Sequence, residues 1–285
     1  MKAELRSGFL LLVMAWFGTF AMAESRTYVY EKGSDTYEIA LLRLALDHTI
    51  AGSGPYTLVE LGEELTEGRA LVALNQGRFD VTFMVLDPVR EQAVLPVRID
   101  ITRGIQGLRI FLVHSDALAG FSEVKTLDEL RDRYVAGFGA QWSDLPVLRS
   151  NGFHVETATE TSALYQMLEH KRFDFFPRGV NEVWDNLEQH RDWAPHMAVE
   201  RSLALFYPLV QCFVVAKTNQ ELATRIQRGL EASLADGSMK RLFLRFHQTF
   251  LQKADLKTRR IFYLVNPSLP LGGPTVDTSW WMSDH

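Results

Sequence analysis

Cysteine is nearly absent from this sequence, and the single residue Cys212 excludes any disulfide within the chain. Cys212 lies in the apolar run 209–215, and no histidine or basic residue is close to it in the sequence. This setting favours a small buried side chain over a reactive thiol. We therefore expect the packing of apolar side chains to provide the stability of the fold.

The motifs of common catalytic modules are also missing. The chain contains no Gly-x-Ser-x-Gly elbow, no His-Glu-x-x-His pair, no phosphate-binding loop and no Gly-x-Gly-x-x-Gly fingerprint. Its 8 histidines are scattered without the spacing of metal ligands. We expect neither a metal nor a cofactor, and we interpret the chain as a binding protein rather than an enzyme.

The chain has no excess of basic residues, since 30 lysines and arginines face 35 acidic residues and the net charge is −5. Nucleic acid is therefore not an expected partner. Hydrophobic residues make up 47% and charged residues 23%, which is the composition of a globular protein. The length is sufficient for two domains of medium size.

The N-terminus has the pattern of a secretory signal peptide. Lys2 and Arg6 precede an uncharged stretch that ends in Ala21-Met22-Ala23, so we predict cleavage after Ala23. The apolar stretch 8–20 is shorter than the ~20 residues that span a bilayer, and no later segment is long enough. No cysteine stands at the cleavage site, so we expect an exported chain without a lipid anchor.

The rest of the chain alternates between strand and helix patterns. We predict strands at 27–30, Tyr56–Glu60 and 80–84, a helix after a cap at Ser34 or Asp35, and a helix at 68–74. Strands and helices that alternate with short loops favour an α/β fold with a mostly parallel sheet flanked by helices.

An internal echo suggests that two lobes are built alike. Residues 74–83 read L-N-Q-G-R-F-D-V-T-F, and residues 168–177 read L-E-H-K-R-F-D-F-F-P. Each segment places a helix end, a basic turn and Phe-Asp before an apolar strand. We predict lobe 1 at 24–110 and 207–285, lobe 2 at 111–206, crossover strands at 108–113 and 203–215, and a C-terminal wrap that packs Trp280 and Trp281 on lobe 1.

Several short blocks resemble the extracellular family 3 of periplasmic solute-binding proteins. They are Gly77-Arg78-Phe79-Asp80, Asp87-Pro88-Val89-Arg90-Glu91, Val135-Ala136-Gly137-Phe138-Gly139, Lys171-Arg172-Phe173-Asp174 and Leu234-Ala235-Asp236-Gly237-Ser238. The resemblance implies a two-lobed type II periplasmic binding fold, a periplasmic location, and a small polar ligand delivered to an ABC-type permease. Trp142-Ser143-Asp144 and residues 172–179 resemble a branch known only as transporter substrate-binding, which leaves the ligand open.

Candidate site residues come from loops at the carboxyl ends of strands, where open α/β sheets bind their ligands. Arg90 matches the family arginine that holds a ligand carboxylate, and its alternative is a surface helix charge. Residues 139–144 follow a strand and open a helix, so backbone N–H groups, Ser143 and the ring of Trp142 are candidates for the ligand. Asp144 is either a ligand contact or a helix cap.

The resemblance to the amino-acid binders implies an aspartate after the strand that follows Arg172-Phe173-Asp174. This chain has Arg178 there instead. A cation there repels an ammonium group and favours a carboxylated, dianionic or polyhydroxylated ligand. Glu182 lies one helical turn further on and either adds a negative contact for the ligand or forms an internal ion pair with Arg178. Weaker candidates are Tyr30, Glu31, Arg103, Arg109 and Tyr207.

Three functions remain open from the sequence. The first is a monomeric solute-binding protein whose lobes close on a ligand for an importer. The second is a binding component that signals to a membrane kinase or cyclase. The third is an enzyme similar to the periplasmic cyclohexadienyl dehydratases, with Glu182 or Asp144 as the general acid or base.

Overall fold

The structure is a computed structural model that describes residues 25–31, 33, 36–63, 65, 67–269 and 275–282. The predicted signal peptide and the predicted caps Ser34 and Asp35 lie outside these residues. The strands are β1 (Arg26–Tyr30), β2 (Tyr56–Glu60), β3 (Val81–Val85), β4 (Leu95–Pro96), β5 (Leu108–His114), β6 (Ala136–Gly139), β7 (Val155–Ala158), β8 (Phe175–Gly179), β9 (Met197–Val199), β10 (Leu203–Phe206), β11 (Gln211–Val215) and β12 (Arg260–Tyr263).

Helices lie between the strands, and none of those described is long and apolar enough to cross a membrane. They are α1 (Tyr37–Asp47), α2 (Ile50–Ser53), α3 (Glu67–Asn75), α4 (Pro88–Ala93), α5 (Leu118–Glu123), α6 (Leu127–Arg133), α7 (Leu145–Ser150), α8 (Thr161–Glu169), α9 (Val183–Gln189), α10 (Gln220–Ala235) and α11 (Ser238–Ala254).

The strands form two separate sheets, which confirms the two-lobed α/β fold. The first sheet has the order β2-β1-β3-β11-β4, and the second has the order β12-β10-β5-β8-β6-β7 with β9 beside β5. Both sheets are mixed. β1, β2 and β3 are parallel, as are β6, β7 and β8, whereas β11 and β5 run antiparallel to them. The antiparallel pairs arise where the chain crosses between lobes.

Helix α1 begins after Thr36, whose hydroxyl oxygen accepts a hydrogen bond from the N–H of Ile39. The side chains of Leu41, Leu42 and Ala45 are buried against the core of the first lobe. Gly229 of α10 lets the two helices touch, because a Cβ atom at this position would lie 1.8 Å from the carbonyl oxygen of Ala45. α1 and α10 therefore pack backbone against backbone.

The internal echo of the sequence corresponds to the same local structure in both lobes. Asp80 accepts a hydrogen bond from the N–H of Val29 at 2.7 Å, and Asp174 accepts one from the N–H of Val135 at 2.7 Å. Each aspartate thus ties its own strand to the neighbouring parallel strand. The preceding turns also match, since Gly77 and Lys171 both have positive φ, 73° and 55°.

The return crossover differs from the predicted continuous strand 203–215. The structure divides it into β10 in the second sheet and β11 in the first sheet. Pro208 lies between them and lacks the N–H group that a continuous strand would need. The first crossover also lies before the predicted strand 108–113, because β5 already belongs to the second sheet.

The C-terminal part of the chain contacts both lobes, although the sequence interpretation assigned 207–285 to lobe 1. Helix α11 packs against α1, and β12 then pairs in parallel with β10 of the second sheet. The side chain of Arg259 joins these parts by donating to the carbonyl oxygens of Ala254 and Leu203. The lobe boundaries as a whole stay a prediction.

The terminal aromatic residues cover the first crossover. Trp280 packs on Phe243 of α11, and Trp281 packs on Phe206 of β10. The indole N–H of Trp281 donates to the carbonyl oxygen of Arg103 at 2.7 Å. The wrap thus contacts α11, the second sheet and the segment before β5.

Candidate functional site

A pocket of about 270 Å³ lies between the two lobes. Glu31, Thr82, Met84 and Arg90 line it from the first lobe, and Ser143 lines it from the second. Glu31 follows β1, Arg90 follows β3 and Ser143 follows β6, so the pocket sits beyond the carboxyl ends of these strands, where open α/β sheets bind ligands. Three of the predicted site residues, Arg90, Ser143 and the weaker candidate Glu31, therefore line one cavity.

Arg90 is positioned by the short helix α4. The carboxylate of Asp87 caps this helix by accepting from the N–H groups of Val89 and Arg90, and Pro88 occupies the first helical position. The Arg90 guanidinium donates to the carbonyl oxygen of Val85 at 3.1 Å and lies 3.4 Å from Asp87. These contacts hold an arginine with five donors at the wall of the pocket.

Glu31 brings a carboxylate to the same pocket. It is buried, and its Oε2 atom accepts a hydrogen bond of 2.7 Å from the hydroxyl of Thr82. The pocket wall thus carries one acidic and one basic side chain. This arrangement can receive a ligand that has a carboxylate at one end and hydrogen-bond donors at the other.

Asp144 lies beside Ser143 and forms part of a buried cluster with Arg109 and Tyr207. Its Oδ2 atom accepts from the Tyr207 hydroxyl at 2.7 Å and from the Arg109 guanidinium. Arg109 Nε also donates to the Tyr207 oxygen at 2.7 Å. Burial raises the pKa of Tyr207 well above its ordinary value, so the phenol stays protonated. Asp144 precedes α7, but its side chain does not cap that helix.

Two N–H groups of the backbone before α7 are used within the second lobe, and the predicted cradle of N–H groups stays a prediction. The N–H of Ala140 donates to the carbonyl oxygen of Ala158, and that of Trp142 donates to Gly139. Helix α7 has only 6 residues. Ser143 is the residue of this segment that lines the pocket.

Arg178 pairs with Glu182, as one of the two alternatives from the sequence predicted. Its Nη2 atom donates to Glu182 at 2.7 Å, and its Nε atom donates to Asn186 at 2.8 Å. The guanidinium also lies 4.8 Å from the centre of the Trp142 ring, within the range of a cation–π interaction. Arg178 is buried, and Glu182 is partly exposed at the cleft edge, 3.9 Å from Arg109.

The ring of Trp142 packs against Arg178 and its neighbours rather than standing free in the cleft. It stacks on Phe176 with a centroid distance of 5.9 Å and lies directly over Gly139, where a Cβ atom would approach the indole to 2.5 Å. Glycine at position 139 is therefore needed for the position of the ring.

The weaker candidates are mostly core residues. Tyr30 is buried in the first lobe, and the hydroxyl of Tyr207 is used by Asp144. Arg103 pairs with Asp277 of the wrap. The sequence interpretation missed Thr82 and Asn186. Thr82 could have been identified as a polar residue in an apolar strand, and Asn186 by its helical spacing of four from Glu182.

The described residues contain no group of three or more histidine, cysteine, aspartate or glutamate side chains arranged for a metal ion. The two carboxylates considered for acid–base catalysis, Asp144 and Glu182, each pair with an arginine. Burial also raises the pKa of the Cys212 thiol, which keeps it protonated and unreactive.

Comparison with solved structures finds proteins of similar fold. An ancestral arginine-binding protein bound to arginine has a TM-score of 0.53 and 16% identity, over 77% of this chain and 97% of that one. An arginine-specific periplasmic binding protein of Salmonella typhimurium has a TM-score of 0.52 and 13% identity, over 78% and 99%. A histidine kinase sensor domain similar to periplasmic binding proteins has a TM-score of 0.53 and 13% identity, over 79% and 96%.

No protein-family model matches the chain, and no curated protein matches it in sequence. At identities this low, the structural likeness establishes the fold alone. The chain has the two-lobed type II fold of the periplasmic binding proteins.

Proposed function

We propose that this chain is an exported solute-binding protein that closes its two lobes on a small polar, carboxylate-bearing molecule and delivers it to an ABC-type importer. The observation that carries the proposal is the pocket between the lobes, which Arg90 lines from one side and Ser143 from the other. A ligand that contacts both walls stabilises the closed arrangement, because it gains contacts that the open arrangement lacks. The arginine-binding relatives support a ligand of amino-acid size.

The ligand is held mainly by the first lobe in this account. Arg90 supplies donors for a carboxylate, and Glu31 accepts from a donor at the other end of the molecule. In the second lobe, Arg109 and Arg178 are buried beside Asp144 and Glu182, and neither of them lines the pocket. The second lobe therefore contributes the hydroxyl of Ser143 and the shape of the wall.

A thermal-shift screen of the purified protein tests this proposal. The screen covers amino acids, dicarboxylates, sugar acids and polyamines. A ligand at 100 times its dissociation constant adds roughly 2.7 kcal/mol to the free energy of unfolding. We expect a carboxylate-bearing compound to raise the melting temperature, and we expect the polyamines to have no effect.

The variant Arg90→Ala identifies the site. It removes the guanidinium but no core packing, so the ligand-free protein should melt close to wild type while the ligand-induced shift disappears. Arg191→Ala, an exposed arginine at the end of α9, is the matched control and should keep the shift. Unchanged binding by Arg90→Ala would show that the ligand lies elsewhere.

A sensor component is the second candidate, because a histidine kinase sensor domain shares the fold. Uptake of the identified ligand by cells that lack the protein separates the two functions. Lost uptake supports the importer, and normal uptake with a lost transcriptional or cyclic-nucleotide response supports the sensor.

A further inference from the structure

A groove of about 620 Å³ lies away from the pocket between the lobes, whose volume is about 270 Å³. α9 and β9 form one side of the groove, and the C-terminal end of α11 with the turn that follows forms the other. No residue of the pocket between the lobes lines it. Its volume lies in the range of about 300–1,000 Å³ that is usual for sites that bind small organic molecules.

The floor of the groove is apolar. Trp184 and Leu187 project from α9, Met197 comes from β9, and Leu118 begins α5. All four belong to or pack against the hydrophobic core of the protein. An indole ring and branched aliphatic side chains together suit an aromatic or aliphatic ligand body.

The rim of the groove carries an excess of positive charge in a chain that is acidic overall. Arg201, Lys253 and Arg259 line it, against the single acid Asp255. In the part of the chain that the structure describes, neither Arg201 nor Lys253 forms an ion pair, and the ammonium of Lys253 lies 5.9 Å from the centre of the Trp184 ring. Among the described residues, these two cations therefore line an apolar groove without a carboxylate in ion-pair distance.

The third cation, Arg259, already has hydrogen-bond and ion-pair partners, and it holds one wall of the groove in place. Arg259 is buried, donates to the carbonyl oxygens of Ala254 and Glu200, and lies 3.6 Å from the Glu200 carboxylate. Burial lowers the pKa of Arg259, while the charges of Glu200 and Asp255 act in the opposite direction and the charge of Arg201 adds a smaller lowering.

We propose that this groove is a second binding site, for a small organic anion with an aromatic or aliphatic body, such as an aryl or acyl carboxylate. The anion lies between Arg201 and Lys253, and its apolar body packs on Trp184 and Met197. The site is separate from the pocket between the lobes and does not depend on the function proposed for that pocket.

The test is a titration followed by the indole N–H signal of Trp184 in NMR spectra, assigned with the variant Trp184→Phe. The probes are indole-3-acetate and octanoate as anions and indole-3-acetamide as a neutral compound of matched size. We expect both anions at millimolar concentration to shift the Trp184 signal saturably while the Trp142 signal stays in place. We expect the amide to bind more weakly.

Paired variants separate this site from the pocket between the lobes. Arg201→Gln and Lys253→Gln should each weaken binding of the anions about two- to fivefold, which is the strength of exposed charge interactions. Arg191→Gln, an exposed arginine just after α9 that does not line the groove, should leave it unchanged. Arg90→Ala should also leave it unchanged, so failure at one site is distinguishable from failure at the other.

Three results would overturn the proposal. They are a Trp184 signal that neither anion shifts, equal affinity for indole-3-acetate and its amide, and anion binding that survives the combined variant Arg201→Gln with Lys253→Gln.

Discussion

Buried charges at the cleft edge of the second lobe are held in a connected group. Arg109, Asp144 and Tyr207 share three hydrogen bonds, and Glu182 links Arg109 to Arg178. Removing one member leaves another charge buried without its partner, which is costlier than the loss of a neutral hydrogen bond. The group fixes the wall on which Ser143 stands.

Two substitutions test this group. Asp144→Asn leaves Arg109 without its nearest carboxylate and should lower the free energy of unfolding by about 3–5 kcal/mol. Tyr207→Phe removes only the hydroxyl and should lower it by about 1–3 kcal/mol. Urea unfolding measures both. A loss of less than 1 kcal/mol for Asp144→Asn would be inconsistent with a cluster that carries charge.

His247 gives the protein a pH-dependent stability. Its ring packs against Tyr37 and Phe243, neither ring nitrogen has a partner among the described residues, and burial lowers its pKa to about 4. The unfolded chain binds a proton at this residue near pH 6.5, whereas the folded chain does so only near pH 4. The contribution of neutral His247 to the free energy of unfolding is therefore fully present above about pH 6.5 and is lost as the pH falls toward 4.

The variant His247→Phe should remove this dependence. Between pH 6.5 and 4 the free energy of unfolding of the wild type should fall by up to about 1.4 kcal/mol per pH unit because of this residue. The variant should not show this part of the decrease. Urea unfolding at several pH values compares the two. Parallel curves for the two proteins would mean that His247 is not kept neutral by the fold.

At the scale of elements, the contact between α1 and α10 depends on a single glycine. Gly229→Ala would push a methyl group into the carbonyl of Ala45, so the helices must separate and the stability should fall by about 1–3 kcal/mol or more. Gly68→Ala is the matched control, because nothing lies within 4 Å of its Cβ position in α3. It should be neutral or stabilise by up to about 1 kcal/mol. Equal effects in thermal melts would contradict the backbone contact.

Local patterns predicted most elements, because periodicity and caps act within a few residues. β2 has the predicted bounds, β1 begins one residue before the predicted strand 27–30, and α3 extends the predicted helix 68–74 by one residue at each end. The predicted strand 203–215 failed at Pro208, where the chain leaves one sheet for the other. Which sheet a strand joins depends on contacts distant in the sequence, which no local pattern contains.

The candidate site was predictable only in part for the same reason. The resemblance pointed to Arg90 and Ser143, and the structure places both at one pocket. The partners of Asp144 come from residues 35 and 63 positions away, Arg109 and Tyr207, so their cluster was not visible in the sequence. The pair of Arg178 and Glu182 was one of two alternatives from the sequence, and the structure forms it across the turn between β8 and α9 rather than along a helix.

At the scale of the whole molecule, the chain connects the two lobes more than twice. The first two connections are the crossovers near Gly104 and Pro208. Helix α11 provides a third, because it packs on the first lobe and leads into β12 of the second. The wrap adds Trp280 and Trp281 over Arg103. The lobe closure that we propose would therefore be a hinge motion about these connections rather than a free rotation.

Small-angle X-ray scattering of the purified protein, with and without the compound that stabilises it most in the thermal-shift screen, tests lobe closure most directly. A ligand held between Arg90 and Ser143 should reduce the radius of gyration of the wild type and leave that of Arg90→Ala unchanged. A wild-type protein that is saturated with the ligand but keeps its radius of gyration would contradict the central claim that the two lobes close on a shared ligand.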